Sequence, residues 1–92
     1  MLFRSCTYCG SQENLEIEHI IPLSNGGKHI KSNTTWACKE CNNCKNNRPL
    51  IQFLNENLDK INRKIIEKNP KLKKFVSWSR DMSRYVTMLS QG

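Results

Sequence analysis

The sequence predicts an α+β fold in which a small module of two strands and a helix, stapled by cysteines, precedes two amphipathic helices. Three observations predict it. Two Cys-x-x-Cys knuckles, Cys6-Thr-Tyr-Cys9 and Cys38-Lys-Glu-Cys41, are separated by residues 10–37. Between them, Leu15-Glu-Ile-Glu-His-Ile20 alternates apolar and polar residues, the period of a half-buried strand. From Leu50 onward, apolar residues recur at helical spacing.

Each element follows in order. The knuckles read as one four-thiolate structural zinc site, because zinc is borderline soft and accepts tetrahedral sulfur ligation. Cys44 opens a competing register, Cys41-Asn-Asn-Cys44. The matched pairs Cys6/Cys9 and Cys38/Cys41 are preferred, which leaves Cys44 a free thiol on the following helix. After the Leu15–Ile20 strand, Asn25-Gly26-Gly27 signals a turn or loop. Thr34-Thr35-Trp36-Ala37 is short and β-prone. A helix is expected from Asn42, closing near Pro49. Leu50, Ile51, Leu54, Leu58, Ile61 and Ile65 mark the first tail helix. Asn69-Pro70 ends it and caps the next, with Pro at the first helical position. Leu72, Phe75, Val76, Met82, Val86 and Leu89 mark the second.

Composition supports a staple. The chain has 92 residues, of which 37% are hydrophobic, and so little apolar material makes a thin core. A structural zinc contributes about 10–16 kcal/mol of binding energy to folding. Five cysteines are an awkward count for a disulfide scaffold. Met1-Leu2-Phe3 runs directly into Arg4 and Ser5 without a signal-peptide pattern. Both points lead to the expectation of a reduced, intracellular protein. No apolar run is long enough to span a membrane. The net charge of +7 excludes an acidic solvating tail and favours a polyanionic partner, nucleic acid or an anionic membrane surface. Charge divides unevenly: residues 1–49 carry +2 and residues 50–92 carry +5. The expected organisation is therefore a metal-bound module, 1–49, and a basic helical tail, 50–92, packed on it or extending it.

Between and after the knuckles lies a further constellation. Glu18-His19-Ile20-Ile21-Pro22 leads into Gly26-Gly27, Asn33 stands before the second knuckle, and Asn42-Asn43-Cys44-Lys45 follows it. This resembles the HNH nucleases, the ββα-metal or His-Me finger family. Their pattern is an acidic residue before His-Ile-x-Pro, a Gly-Gly loop, an Asn near Cys-x-x-Cys, and Asn-x-x-Lys. The resemblance covers about residues 6–49. It looks closest to the HNH domains of transposon-encoded RNA-guided nucleases and of McrA-like restriction enzymes. It implies a zinc-stapled ββα-metal finger and a metal-dependent endonuclease that nicks or cuts double-stranded DNA.

By the same resemblance, His19 is the general base, Glu18 and Asn42 ligate a catalytic Mg²⁺ or Mn²⁺, and Asn33 braces the loop that aims His19. The residue types suit that chemistry. Imidazole changes protonation near neutral pH, and a hard divalent ion takes oxygen ligands and clamps a phosphate. The family often has Asp at the position of Glu18 and His at that of Asn42, which bears on metal preference and turnover. Adjacent strand residues point to opposite faces, so Glu18 and His19 serve one site only at a strand end or distortion. Asn42 also suits a helix N-cap.

DNA contact is expected from Lys28, Lys45, Arg48, Lys71, Lys73 and Lys74, with Lys45 and Arg48 on one face of the expected helix. His29 is expected to be solvated. Trp78 and Tyr85 are expected in the core. Double-strand cutting would call for a homodimer, a larger nuclease assembly or a second visit, and no guide RNA is evident from the sequence. Two rivals share the cysteines and the charge. One is a non-catalytic zinc-ribbon nucleic-acid-binding module; the other is an adaptor domain whose tail docks a larger nuclease.

Overall fold

The computed structural model describes residues 4–88. The elements run β1 (Leu15–His19), β2 (Thr34–Cys38), α1 (Lys39–Lys45), α2 (Leu50–Glu56), α3 (Arg63–Lys68), α4 (Pro70–Lys73), β3 (Val76–Ser79) and β4 (Arg84–Thr87). Short 3-10 turns at Leu23–Asn25 and Lys31–Asn33 punctuate the long β1–β2 connection. The class is α+β, with two separate two-stranded antiparallel sheets. In the first, Leu15 pairs with Cys38 and His19 with Thr34. That register carries the start of β1 to the second knuckle and its end to the connecting loop.

Helix α1 starts three residues before the expected Asn42. Cys38 is its N-cap, and the Cys38 Sγ accepts from the Cys41 N–H. The second knuckle is thus the first turn of the helix, and Asn42 lies inside it rather than capping it. Asn46 ends the helix at φ 47°, a left-handed value that Asn tolerates better than most residues.

The tail differs from the two amphipathic helices that the periodicity predicts. The first stripe is cut after Glu56, where the Asn57 Nδ2 donates to the Phe53 carbonyl at 2.8 Å and takes an acceptor from the last turn. Asn62 then caps α3, its Oδ1 accepting from the Ile65 N–H at 3.3 Å. Two asparagines thus offer the backbone local partners that compete with a continuous helix. Asn69 and Pro70 start α4 as the sequence suggests, with Asn69 Oδ1 accepting from the Lys71 N–H at 2.8 Å. The second stripe becomes a hairpin instead of a helix. Val76-Ser-Trp-Ser79 and Arg84-Tyr-Val-Thr87 are β-branched and aromatic at period two. They pair Val76 with Thr87 and Trp78 with Tyr85 across a turn that holds Ser83 at φ 50°. Met82 is exposed in that turn, and Leu89 lies outside the described residues.

One apolar cluster runs across both halves of the chain. It includes Cys6, Tyr8, Ile20, Phe53, Leu54, Ile66, Leu72, Val76 and Tyr85. Tyr8 and Phe53 meet edge to face with ring centroids 5.0 Å apart, so the first knuckle packs directly on α2. The Asn62 N–H donates to the Tyr8 carbonyl at 2.6 Å. Asn55 of α2 exchanges side-chain bonds with the backbone of Tyr85, its Nδ2 donating at 3.1 Å and its Oδ1 accepting at 2.8 Å. Trp78 and Tyr85 form a second edge-to-face pair at 5.0 Å.

Truncating the ring that joins the halves is expected to cost about 3–5 kcal/mol in Phe53→Ala. Ile17→Ser, at a residue 59% exposed, is expected to stay within roughly 0.5 kcal/mol of wild type. Urea unfolding at saturating zinc measures both.

Candidate functional site

Two turns assemble the sulfur cluster. In the first knuckle, Cys6 Sγ accepts from the N–H groups of Tyr8 and Cys9 at 3.4 and 3.5 Å. Gly10, at φ 86°, turns the chain back. The second knuckle is the capped start of α1. The Sγ atoms of Cys6, Cys9, Cys38 and Cys41 all lie within 4.8 Å of one another, with Cys9 and Cys38 3.7 Å apart. A tetrahedral ion with metal–sulfur bonds near ~2.3 Å needs sulfurs roughly 3.8 Å apart, so the four thiols fit a structural zinc. Their titrations are interlocked. A hydrogen bond from the Cys41 thiol holds Cys6 down to about 4, and the same contact, with burial, pushes Cys41 far above its ordinary value. Sulfurs this close share negative charge poorly, and a divalent cation relieves that conflict. Cys44 stands outside the cluster, with Lys60 Nζ 3.9 Å from its sulfur.

A cleft of about 670 Å³ opens beside the end of β1, lined among others by Glu18, His19, Pro22, Asn42 and Asn46. Glu18 is buried in its wall. Its Oε1 lies 2.7 Å from Lys45 Nζ, and its Oε2 accepts from the Tyr8 hydroxyl at 2.7 Å. Lys45 also donates to the His19 carbonyl at 3.0 Å. Burial, reinforced by the Glu18 carboxylate, pushes the Tyr8 phenol well above its ordinary 10.0, so it remains a neutral donor. Glu16, two residues back on the same strand face, accepts from Asn42 Nδ2 at 2.8 Å. His19 is the last residue of β1, and its Nε2 lies 2.9 Å from His29 Nδ1.

Asn33 lies behind this cleft. Its Oδ1 accepts from the Ile21 N–H at 2.9 Å, and its Nδ2 donates to the carbonyls of Ile21 and Lys28 at 3.0 and 2.8 Å. Its own carbonyl accepts from the Ile20 N–H at 2.8 Å. The loop leaving β1 is thereby tied to the strand end.

The expected site residues therefore separate into groups. Glu18, His19 and Asn42 share one cleft; Asn33 supports it from behind. Lys45 is corrected: it is fully buried against Glu18 and is not a surface cation for phosphate. It also shares no face with Arg48, which lies beyond the end of α1. Arg48 donates to the Cys44 carbonyl at 2.6 Å and pairs with Glu56 at 3.4 Å. Lys71 Nζ donates to the Thr34 carbonyl at 2.8 Å. Lys28, Lys73 and Lys74 are exposed and line other parts of the surface. Sequence reasoning missed Tyr8, Glu16 and the contact of His29. The strand alternation carried the signal for Glu16; Tyr8 was hidden inside a knuckle, and nothing local marked His29.

The oxygen donors suit a hard divalent cation. Each Glu18 oxygen has one protein partner and a second lone pair, and the Asn42 amide directs Nδ2 to Glu16, so Oδ1 is the atom Asn42 could offer a cation. Residues 6–48 match the family model described as HNH endonuclease. No curated protein matches the chain.

A single zinc per chain is expected, retained in Cys44→Ser and lost in Cys41→Ser, by metal analysis of purified protein. Because bound thiols must be deprotonated, zinc-dependent stability is expected to be present at neutral pH and to fall away as pH drops; circular dichroism with zinc release across a pH series measures it. Lys45→Met leaves Glu18 buried without its cation and is expected to cost about 3–5 kcal/mol in unfolding free energy. Adding Glu18→Gln is expected to recover part of that loss.

Proposed function

Because residues 6–48 belong to the HNH endonuclease family, we propose that the protein is a metal-dependent endonuclease that nicks or cuts double-stranded DNA. The observation that carries this reading is the cleft that gathers His19, Glu18 and Asn42 at the end of one strand.

In this reading His19 is the general base and accepts a proton from the attacking water. The new O–P bond forms as the opposite P–O3′ bond breaks, and the leaving 3′ oxygen takes a proton from solvent, giving a 5′ phosphate and a 3′ hydroxyl. Glu18 and Asn42 would hold Mg²⁺ or Mn²⁺, which when bound supplies Lewis-acid stabilisation of the scissile phosphate. Lys45 and Tyr8 position the Glu18 carboxylate. Asn33 fixes the strand end that carries His19. The exposed cations Lys28, Lys73 and Lys74, with Arg48, contact the DNA backbone and carry no sequence information. Lys71, bonded to the Thr34 carbonyl, would act more as a strut than as a contact. Residues 1–49 form the nuclease core in this reading, and the basic tail extends its phosphate-facing surface. One such site cleaves one strand per engagement, so double-strand cutting calls for a homodimer, a larger assembly or a second visit.

One observation favours the rival reading of a zinc-ribbon binding module: both Glu18 oxygens already have protein partners. The two readings part on turnover. Supercoiled plasmid is expected to relax with Mg²⁺ or Mn²⁺ and to persist in EDTA, and His19→Ala is expected to slow nicking roughly 10²- to 10⁴-fold. Salt-sensitive DNA binding with equal, negligible cutting by wild type and His19→Ala would establish the binding module instead.

A further inference from the structure

His29 stands ten residues from His19 in the loop that leaves β1, and the motif assigns it nothing. The loop is nonetheless closely fixed. Gly27 packs on the strand end so tightly that a Cβ there would lie 1.8 Å from the Ile21 carbonyl oxygen. Its N–H donates to the Pro22 carbonyl at 3.0 Å. Asn33 holds both Ile21 and Lys28, the residue before His29. The loop's backbone is therefore anchored on either side of the turn, and it delivers His29 Nδ1 to 2.9 Å from His19 Nε2, with ring centroids 5.1 Å apart.

We propose that His29 is a positioning residue that fixes the ring orientation and tautomer of His19, by accepting a hydrogen bond from His19 Nε2–H on its own Nδ1. The direction of that bond and its catalytic consequence rest on the endonuclease reading above; the contact between the two rings does not. The direction of the bond follows from proton arithmetic. A neutral imidazole carries one N–H and one lone pair. If His29 donated, the proton of His19 would sit on Nδ1, and neither His19 nitrogen would be free to take a proton from water. With His19 donating from Nε2, the Nδ1 lone pair is left facing away from His29. When Nδ1 takes up a proton, the bond to His29 persists and becomes charge-assisted. This is the base-and-orienter arrangement found wherever a third group sets the base of a nucleophile. Here the orienter is a second imidazole where a carboxylate or carbonyl would serve equally well.

The test has two readouts. Long-range ¹H–¹⁵N spectra of the imidazole rings report tautomers directly, and only two histidines need assigning. His19 is expected in the Nε2–H form in wild type and as a mixture of forms in His29→Ala. In single-turnover and steady-state nicking, His29→Ala is expected to lower kcat about 10- to 100-fold with KM for DNA nearly unchanged. His29→Asn, whose Oδ1 takes the place of Nδ1 as acceptor, is expected to restore both tautomer and rate. Because His29 is exposed, circular dichroism and zinc content should match wild type in all variants. Wild-type kcat together with an unchanged His19 tautomer in His29→Ala would overturn the proposal. If wild type does not nick at all, a His19 tautomer that depends on His29 sustains the hydrogen bond and overturns the endonuclease reading alone. A tautomer indifferent to His29 overturns the positioning role whatever the nicking result.

Discussion

Four thiols from two segments that residues 10–37 separate come within 4.8 Å of one another, and the placement of the other elements follows from that closure. A structural zinc held by these thiols would close that long loop and link metal binding to folding. Because Cys41 lies in the first turn of α1 and Cys38 caps it, closing the sulfur cluster also fixes the helix direction. Because Leu15 pairs with Cys38, it fixes the register of β1 as well. The strand end, and with it His19, is therefore positioned from the opposite end of the sheet.

The second polar linkage works within that frame. Lys45, Glu18 and Tyr8 come from α1, β1 and the first knuckle, and their bonds of 2.7 Å tie the three together under the cleft. A buried ion pair is a weak source of net stability, since desolvation offsets attraction. Its effect here is geometric. The Lys45 bond to the His19 carbonyl at 3.0 Å ties the backbone of His19 to the same point that holds the Glu18 carboxylate. Two neighbouring residues that a regular strand would send to opposite faces are thus referred to one anchor.

Much of the first half was legible because its signals are spacings. The knuckles, the alternating strand and the Gly-Gly loop each depend on local chemistry that the chain states outright. The choice between Cys38/Cys41 and Cys41/Cys44 was settled by pairing logic, and the cluster excludes Cys44. The tail was less legible because periodicity there is ambiguous. Val76 and Val86 fit a helical stripe with Leu72, Phe75 and Met82, yet the β-branched and aromatic side chains of Val76, Trp78, Tyr85 and Val86 lie in a hairpin whose turn holds Ser83 at φ 50°. The interruption after Glu56 turned on side-chain amides, Asn57 and Asn62, which a hydrophobic pattern does not weigh. Lys45 departs from its expected surface position for a related reason. A lysine on a short helix is usually solvated, and the buried Glu18 carboxylate together with the His19 carbonyl makes the inward rotamer favourable.

The conflict between strand geometry and site geometry is resolved by where β1 stops. Glu16 and Glu18 obey the alternation and face α1, each bonded to a residue of that helix, Asn42 and Lys45. His19 is the terminal residue of the strand, and Asn33 takes over the backbone immediately after it by accepting from Ile20 and Ile21. Past His19 the chain no longer needs ladder partners, so it bends into the 3-10 turn at Leu23–Asn25, and the cleft forms between that turn and α1. Had β1 continued for two more residues, His19 would lie mid-strand with its ring on the face opposite Glu18. The short strand and the asparagine that ends it are therefore as much a condition of the site as the side chains that line it.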